Sequence, residues 1–145
     1  MAGSLPADWS ARLAAAGRAS LLSLVEEHLR AFGEREALQA LRHPFCSTEV
    51  VELVLGDRRF AALASVRKAA ALHPATPRPD ALRCVEDLGW RDLLDVSREA
   101  RTPAPVRRAA SLKILDRLPR LALGERLTLA RLADRPVLRA LLEDV

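Results

Sequence analysis

The stretch VRKAAALHPATPRPDAL, Val66–Leu82, decides the fold. Its first seven residues include Arg, Lys, Ala and Leu, which favour a helix. His73-Pro74 then stops it, because the residue before a proline is pushed out of the α region and the proline ring removes a donor. Three residues after His73 the chain is ready to restart. Thr76 suits the position that opens a helix, and Pro77 suits the first helical position, where its missing N–H costs nothing. One helix ends and another begins within four residues, so this stretch reads as the joint of a helical pair.

Working outward, the same device recurs. ALRHPFCSTEVVELVL (Ala40–Leu55) carries His43-Pro44, 30 residues before His73-Pro74, and TPAP at Thr102 follows TPRP at Thr76 by 26 residues. A period of 20–50 residues with one helix–turn–helix per unit is the mark of an α-solenoid. Between the joints no segment alternates like a strand. Ser20 is a candidate N-cap for the stripe Leu21, Val25, Leu29 and Phe32, which Gly33 ends, with Glu26 four residues before Arg30. A short helix is predicted from Glu34 to Arg42. Ser47 or Thr48 caps a run containing Val50, Val51, Leu53, Val54 and Leu55, closed by Gly56.

Asp57 is predicted to cap one helix carrying Phe60, Leu63, Val66 and Ala70 as far as His73. After Gly89 a helix runs from about Trp90 to Ala100. The next, from Thr102-Pro103 to about Leu118, holds Val106, Ala109, Ala110, Leu112, Ile114, Leu115 and Leu118 around most of its circumference. It is therefore predicted to be sandwiched between neighbours. Leu123–Ala133 and Pro136–Asp144, the latter opened by Asp134, complete a set of roughly nine or ten short helices.

At 145 residues the chain is one domain's worth, enough to bury a core without disulfides or metals. Half of it is apolar, only 3% is aromatic and Tyr is absent, so Leu, Ala and Val must do the packing. Cys46 and Cys84 lie too far apart for a CxxC site and are too few for a disulfide framework. Reduced thiols in the cytoplasm are the plain expectation. In MAGSLPADWSARLAAAGRASLLSLVEEH, Asp8, Arg12 and Arg18 interrupt the apolar run, which does not fit an export signal. No apolar stretch approaches the ~20 residues a membrane span needs, so no membrane partner is expected.

VRKAAALHPATPRPDAL resembles the repeat of the leucine-rich repeat variant family, roughly V-R-x-A-x-A-x-[NH]-P-x-T-P-x-x-x-L. TPAPVRRAA at Thr102–Ala110 is similar to part of it. The resemblance covers Val66–Leu82 best, extends in part to Ala40–Leu55 and Thr102–Leu118, and is absent from about the first thirty residues. It implies a right-handed superhelix of short helices close to HEAT-type arrays, with no activity assigned to most members. RLPRLALGERLTLARLADRPVLRALLEDV also resembles helical-repeat proteins of unknown function from GC-rich bacteria. Some family members carry an N-terminal cysteine cluster for an iron–sulfur centre. This chain has no such cluster, and no cofactor is carried over.

The chemistry-bearing residues are few. His43, Cys46, His73 and Cys84 are the only four-ligand set for zinc, but Pro44 forbids a regular helix between the first two, and the spacings match no zinc signature. His43 and His73 read better as the polar residue that ends each unit, a seat Asn or Asp could also fill. His28 borders an apolar stripe and reads as structural or surface. Glu26-Glu27 and Glu86-Asp87 occupy consecutive helical positions and so point apart. No GxSxG, P-loop or GxGxxG occurs, and no enzymatic activity is expected.

The remaining signal is charge. Residues 1–97 hold 12 Lys and Arg against 13 Asp and Glu, whereas residues 98–139 hold 11 against 4, within a total of +4. Of 23 basic residues 21 are Arg, which GC-rich coding explains as well as a binding demand does. Arg98, Arg101, Arg107, Arg108, Lys113, Arg117 and Arg120 form the candidate surface for phosphates or an acidic protein. No aromatic follows Trp90, so base stacking has nothing to work with there and only sequence-independent phosphate contact remains. The expectation is therefore an all-α solenoid in a single domain, residues 1–145, with 1–33 as capping helices and 34–145 as repeats. Its expected role is a non-catalytic protein-interaction scaffold, with phosphate-backbone binding as the alternative. Val137, Leu138, Leu141, Leu142 and Val145 span more than one side of the last helix, which suggests a two-fold homodimer through it.

Overall fold

Every regular element among the described residues, 3–132 with Arg135 and Leu138, is helical in the computed structural model. The order is α1 (Trp9–Ala15), α2 (Arg18–His28) running into a 3-10 turn at Leu29–Ala31, α3 (Glu34–Leu41), α4 (Thr48–Leu55) and the single turn α5 (Arg58–Ala61). Then come α6 (Ala64–Leu72), α7 (Arg78–Glu86), α8 (Trp90–Arg98), α9 (Ala104–Arg117) with a 3-10 turn at Leu118–Arg120, and α10 (Leu123–Leu132). None of these helices is long and apolar enough to cross a membrane.

The helix ends follow from local chemistry. Ser47 Oγ accepts the Val50 N–H at 3.5 Å and Asp57 Oδ1 accepts the Arg59 N–H at 3.0 Å, so both open helices as predicted. Ser20 acts differently. It sits inside the first turn of α2 and accepts the Gly17 N–H at 2.7 Å, while Glu36 accepts the Gly33 N–H at 3.0 Å in the same way for α3. Gly33 thus opens a helix rather than merely ending one.

The single helix expected after Asp57 is two. The chain leaves the helical region at Leu63, with φ −86° and ψ 127°, and α6 starts afresh at Ala64. Phe60 and Val66 are buried in the same core cluster on either side of this break. The Arg67 guanidinium takes the carbonyls of Ala61 and Ala62, at 3.3 and 3.1 Å, that the interruption would otherwise leave bare.

Helices α3 and α4, α6 and α7, and α8 and α9 pack as successive pairs. Across the pairs α3 packs on α6 and α6 on α8, while α2 packs on α4 and α7 on α9. The core divides into two clusters, one running from Trp9 to Ala69 and the other from Ala70 to Leu129. Helix α6 serves both, and its buried Ala69, Ala70 and Ala71 let its neighbours approach closely. At the N-terminal end Trp9 lies edge-on to Phe32 at 5.3 Å and donates from Nε1 to Gln39 at 3.3 Å, so α1 covers the first cluster.

Helix α9 is not sandwiched. Val106, Ala110 and Ile114 are buried and α9 packs on α7 and α8, but Leu112 is 65% exposed, so among the described residues one side of the helix is left uncovered. Leu123 and Leu127 on α10 are exposed as well. The predicted helix Pro136–Asp144, and with it the suggested dimer contact, lies outside the described residues except for Leu138, which is helical and half-buried.

Candidate interaction surface

Three joints share one construction. His43 Nδ1 accepts the N–H of Phe45 and His73 Nδ1 that of Ala75, each at 3.0 Å, and Glu99 Oε1 accepts the N–H of Arg101 at 3.2 Å. In each turn the residue three further on returns its N–H to the carbonyl of the first: Cys46 to His43, Thr76 to His73 and Thr102 to Glu99. A carboxylate therefore fills the histidine seat in the third joint, where the sequence has no His-Pro. His43 also donates from Nε2 to the Leu13 carbonyl at 2.8 Å, which together with its accepting Nδ1 fixes one neutral tautomer.

The threonines of the joints do not cap helices. Thr76 is buried and its Oγ1 donates to the Ala70 carbonyl at 2.6 Å, while Pro77 precedes α7, which begins at Arg78. The hydroxyl adds a second donor to a carbonyl in the last turns of α6, which also receives the His73 N–H at 3.2 Å. Thr102 donates to Leu72 and Thr48 to Ala75, both at 2.8 Å, across 30 and 27 residues. Both bonds thus tie one joint to a segment about 30 residues away.

The joints line a groove of about 630 Å³ whose walls include Arg18, Arg42, Phe45, Pro74 and Arg101 over a floor containing Leu72. A second hollow of about 310 Å³, with Leu13, Ala14 and Ala16 in its wall, shares His43, Pro44 and Phe45 with the first. Lys68 also lines the groove, but it is held by Asp95 at 2.7 Å and Asp92 at 3.2 Å, and the hydrogen bond to Asp95 raises its pKa. Arg101 pairs with Glu99 at 3.3 Å. The backbone N–H of Arg101, followed by its side chain, keeps the Glu99 carboxyl below its ordinary value.

The basic residues singled out in the sequence do not form one face. Arg98 is exposed in the last turn of α8, Arg108 is exposed on α9, and Arg120 is exposed in the 3-10 turn. Arg107 and Lys113 are half-buried, the former with its Nε enclosed and without a partner. Arg108 lies ~140° around the helix from Lys113 and ~180° from Arg117 at 100° per residue. Arg117 has its donors engaged inside the fold, on the Leu88 carbonyl and on that of Glu86 at 2.9 Å. Arg59 does the same for Leu29 and Phe32, both at 3.0 Å, one pair of units earlier. Only Arg101 of the seven reaches the groove.

Burial pushes both Cys46 and Cys84 thiols up to about 11, so they stay protonated at neutral pH. They belong to separate core clusters, and among the described residues no three of His, Cys, Asp or Glu are placed to hold a metal ion. Arg18, Arg42 and Phe45 were not singled out in the sequence. The signal for Phe45 was present all the same, as a large aromatic beside a proline in a turn between two buried runs. No family model, curated protein or solved structure matches this chain.

Proposed function

We propose that the protein is a non-catalytic protein-interaction scaffold, a short α-solenoid of HEAT-like or leucine-rich-repeat-variant-like pairs acting in the cytoplasm. The observation that carries this reading is the open groove formed where successive joints line up. The recurrence of inter-unit hydrogen bonds at 27–31 residues supports the solenoid and the repeat-family resemblance. Phosphate-backbone binding by the basic C-terminal half is the weaker reading, since Arg101 and Arg117 are engaged internally and the other cations are dispersed.

Parallel capture from a native lysate with wild type and Phe45→Glu separates the two. A protein recovered by wild type and lost with the variant is the expected result. Recovery of nuclease-sensitive material whose binding falls steeply with salt, and is indifferent to position 45, would favour phosphate binding instead. Self-association through the last helix is a further part of the proposal. Light scattering over a concentration series should show a dimer that Leu138→Glu dissociates, whereas a monomer throughout removes that part.

A further inference from the structure

We propose that the groove over the joints takes an extended acidic segment of a partner protein, with a bulky apolar side chain set against Phe45 and a carboxylate on Arg42. This rests on the scaffold reading above and specifies its partner. Phe32 and Phe60 are each 2% exposed, whereas Phe45 is 54% exposed. It stands where the two hollows, of about 630 and 310 Å³, share the wall His43-Pro44-Phe45. A side chain can therefore cover its ring from either side. Apolar surface presented in a concave site next to fixed charge is how a few anchor residues come to dominate recognition.

The charges set the sign of the partner. Arg18, Arg42, Lys68 and Arg101 line the groove against one acid, Glu99. Lys68 is already matched by Asp92 and Asp95, and Arg101 by Glu99. No ion pair among the described residues involves Arg18 or Arg42, and both are exposed. Arg18 lies near enough to Glu49 to help hold that carboxyl below its ordinary value, so the groove cation left to recruit a carboxylate is Arg42, three residues from Phe45 in the sequence. Beside these charges the lining includes the apolar Leu41, Cys46, Ala69 and Leu72. A phosphate backbone needs cations along its length and gains nothing from such a lining. An extended peptide alternates its side chains, so it can set an apolar residue onto that lining and the next, acidic, residue on Arg42.

The joints also limit the mode of binding. The N–H groups of Phe45, Ala75 and Arg101 are consumed by His43, His73 and Glu99. They offer no free backbone edge, so selectivity comes from side chains rather than from strand addition.

A phage-displayed random dodecapeptide library, selected on immobilised wild type, tests this. Enriched sequences are resynthesised with a fluorescein label and titrated by polarisation against wild type, Arg42→Glu, Phe45→Ala and the distant control Arg108→Glu, all checked for unchanged melting. The expected peptides join Asp or Glu to Leu, Phe or Trp. They should lose about tenfold or more in affinity with either groove variant and less than about twofold with the control. Enriched peptides that are neutral or basic, or that ignore Arg42→Glu, overturn the acidic-segment inference and leave the scaffold reading standing. An absence of enriched peptides also overturns it. If a labelled dT20 strand then binds and loses affinity with Arg42→Glu, the scaffold reading falls too.

Discussion

A threonine hydroxyl can donate or accept, and in these joints the carbonyl within reach makes it a donor. Thr76 and Thr102 both donate to α6, but their acceptors differ. The Ala70 carbonyl also receives the N–H of His73, at 3.2 Å, so losing the Thr76 hydroxyl leaves it partly satisfied. Leu72 has Thr102, 1% exposed, as the donor that covers its carbonyl. Thr76→Val should therefore cost about 1 kcal/mol and Thr102→Val about 2 kcal/mol, the penalty rising when a part-buried acceptor loses its covering donor rather than one of two. Urea midpoints of the two variants check the order, and the reverse order would remove this account. The TPxP pattern made both residues visible in the sequence as joint residues. The acceptor of Thr102 was not visible, because it lies 30 residues away and a local pattern holds no information about it. The histidine seat carries a second expectation. Burial lowers the His73 pKa below 6.5, so the unfolded chain takes up the proton first. Its contribution is complete above about pH 6.5 and is lost as the pH falls through the lower folded value. His73→Asn, which can accept the same N–H without titrating, should flatten the pH dependence of the midpoint between about pH 7 and pH 5. Parallel curves for the two proteins would show that this ring does not titrate against folding.

At the scale of the element, the helix ends are where sequence reading succeeded and failed side by side. Ser47 and Asp57 open helices through groups two and three residues away, and were legible for that reason. The break at Leu63 was not, since no glycine or proline marks it. It exists because α5 and α6 each bury an aromatic or aliphatic anchor in one cluster, and because Arg67 covers the carbonyls exposed between them. Arginine in this role also accounts for part of the basic surplus. Arg59 and Arg117 each span two carbonyls at the end of a helix or turn in another unit, a use that planar guanidinium geometry favours over ammonium. Arg117→Met, which keeps the length and removes the donors, should destabilise by about 1–2 kcal/mol, whereas Arg108→Met should stay within about 0.5 kcal/mol. Denaturation midpoints read this directly. Equal effects at the two positions would return Arg117 to the set of surface cations available to a ligand.

For the whole molecule, the composition and the spacing of the joints foretold short aliphatic helices, and every regular element among the described residues is one. They did not foretell that the core would divide within α6, between Ala69 and Ala70. That division follows from packing, since α6 packs on α3 as well as on α7 and α8, with Ala69 buried in the first cluster and Ala70 and Ala71 in the second. In a stacked array each unit is stabilised by its neighbours, so damage should stay near where it is done. In a single cooperative core of this size it should spread everywhere. Leu21 and Ile114 are both fully buried, one in each cluster, and truncating either to Ala should cost about 2–5 kcal/mol locally. Native-state hydrogen exchange then separates the two architectures. Leu21→Ala should speed exchange in α1 to α4 while the amides of α8 and α9 keep wild-type protection, and Ile114→Ala should do the opposite. The amides of α6 should respond in part to each, because that helix belongs to both clusters. Uniform loss of protection across all the helices with either variant would mean one globular core, and the stacked reading, with the aligned joints it requires, would have to be given up.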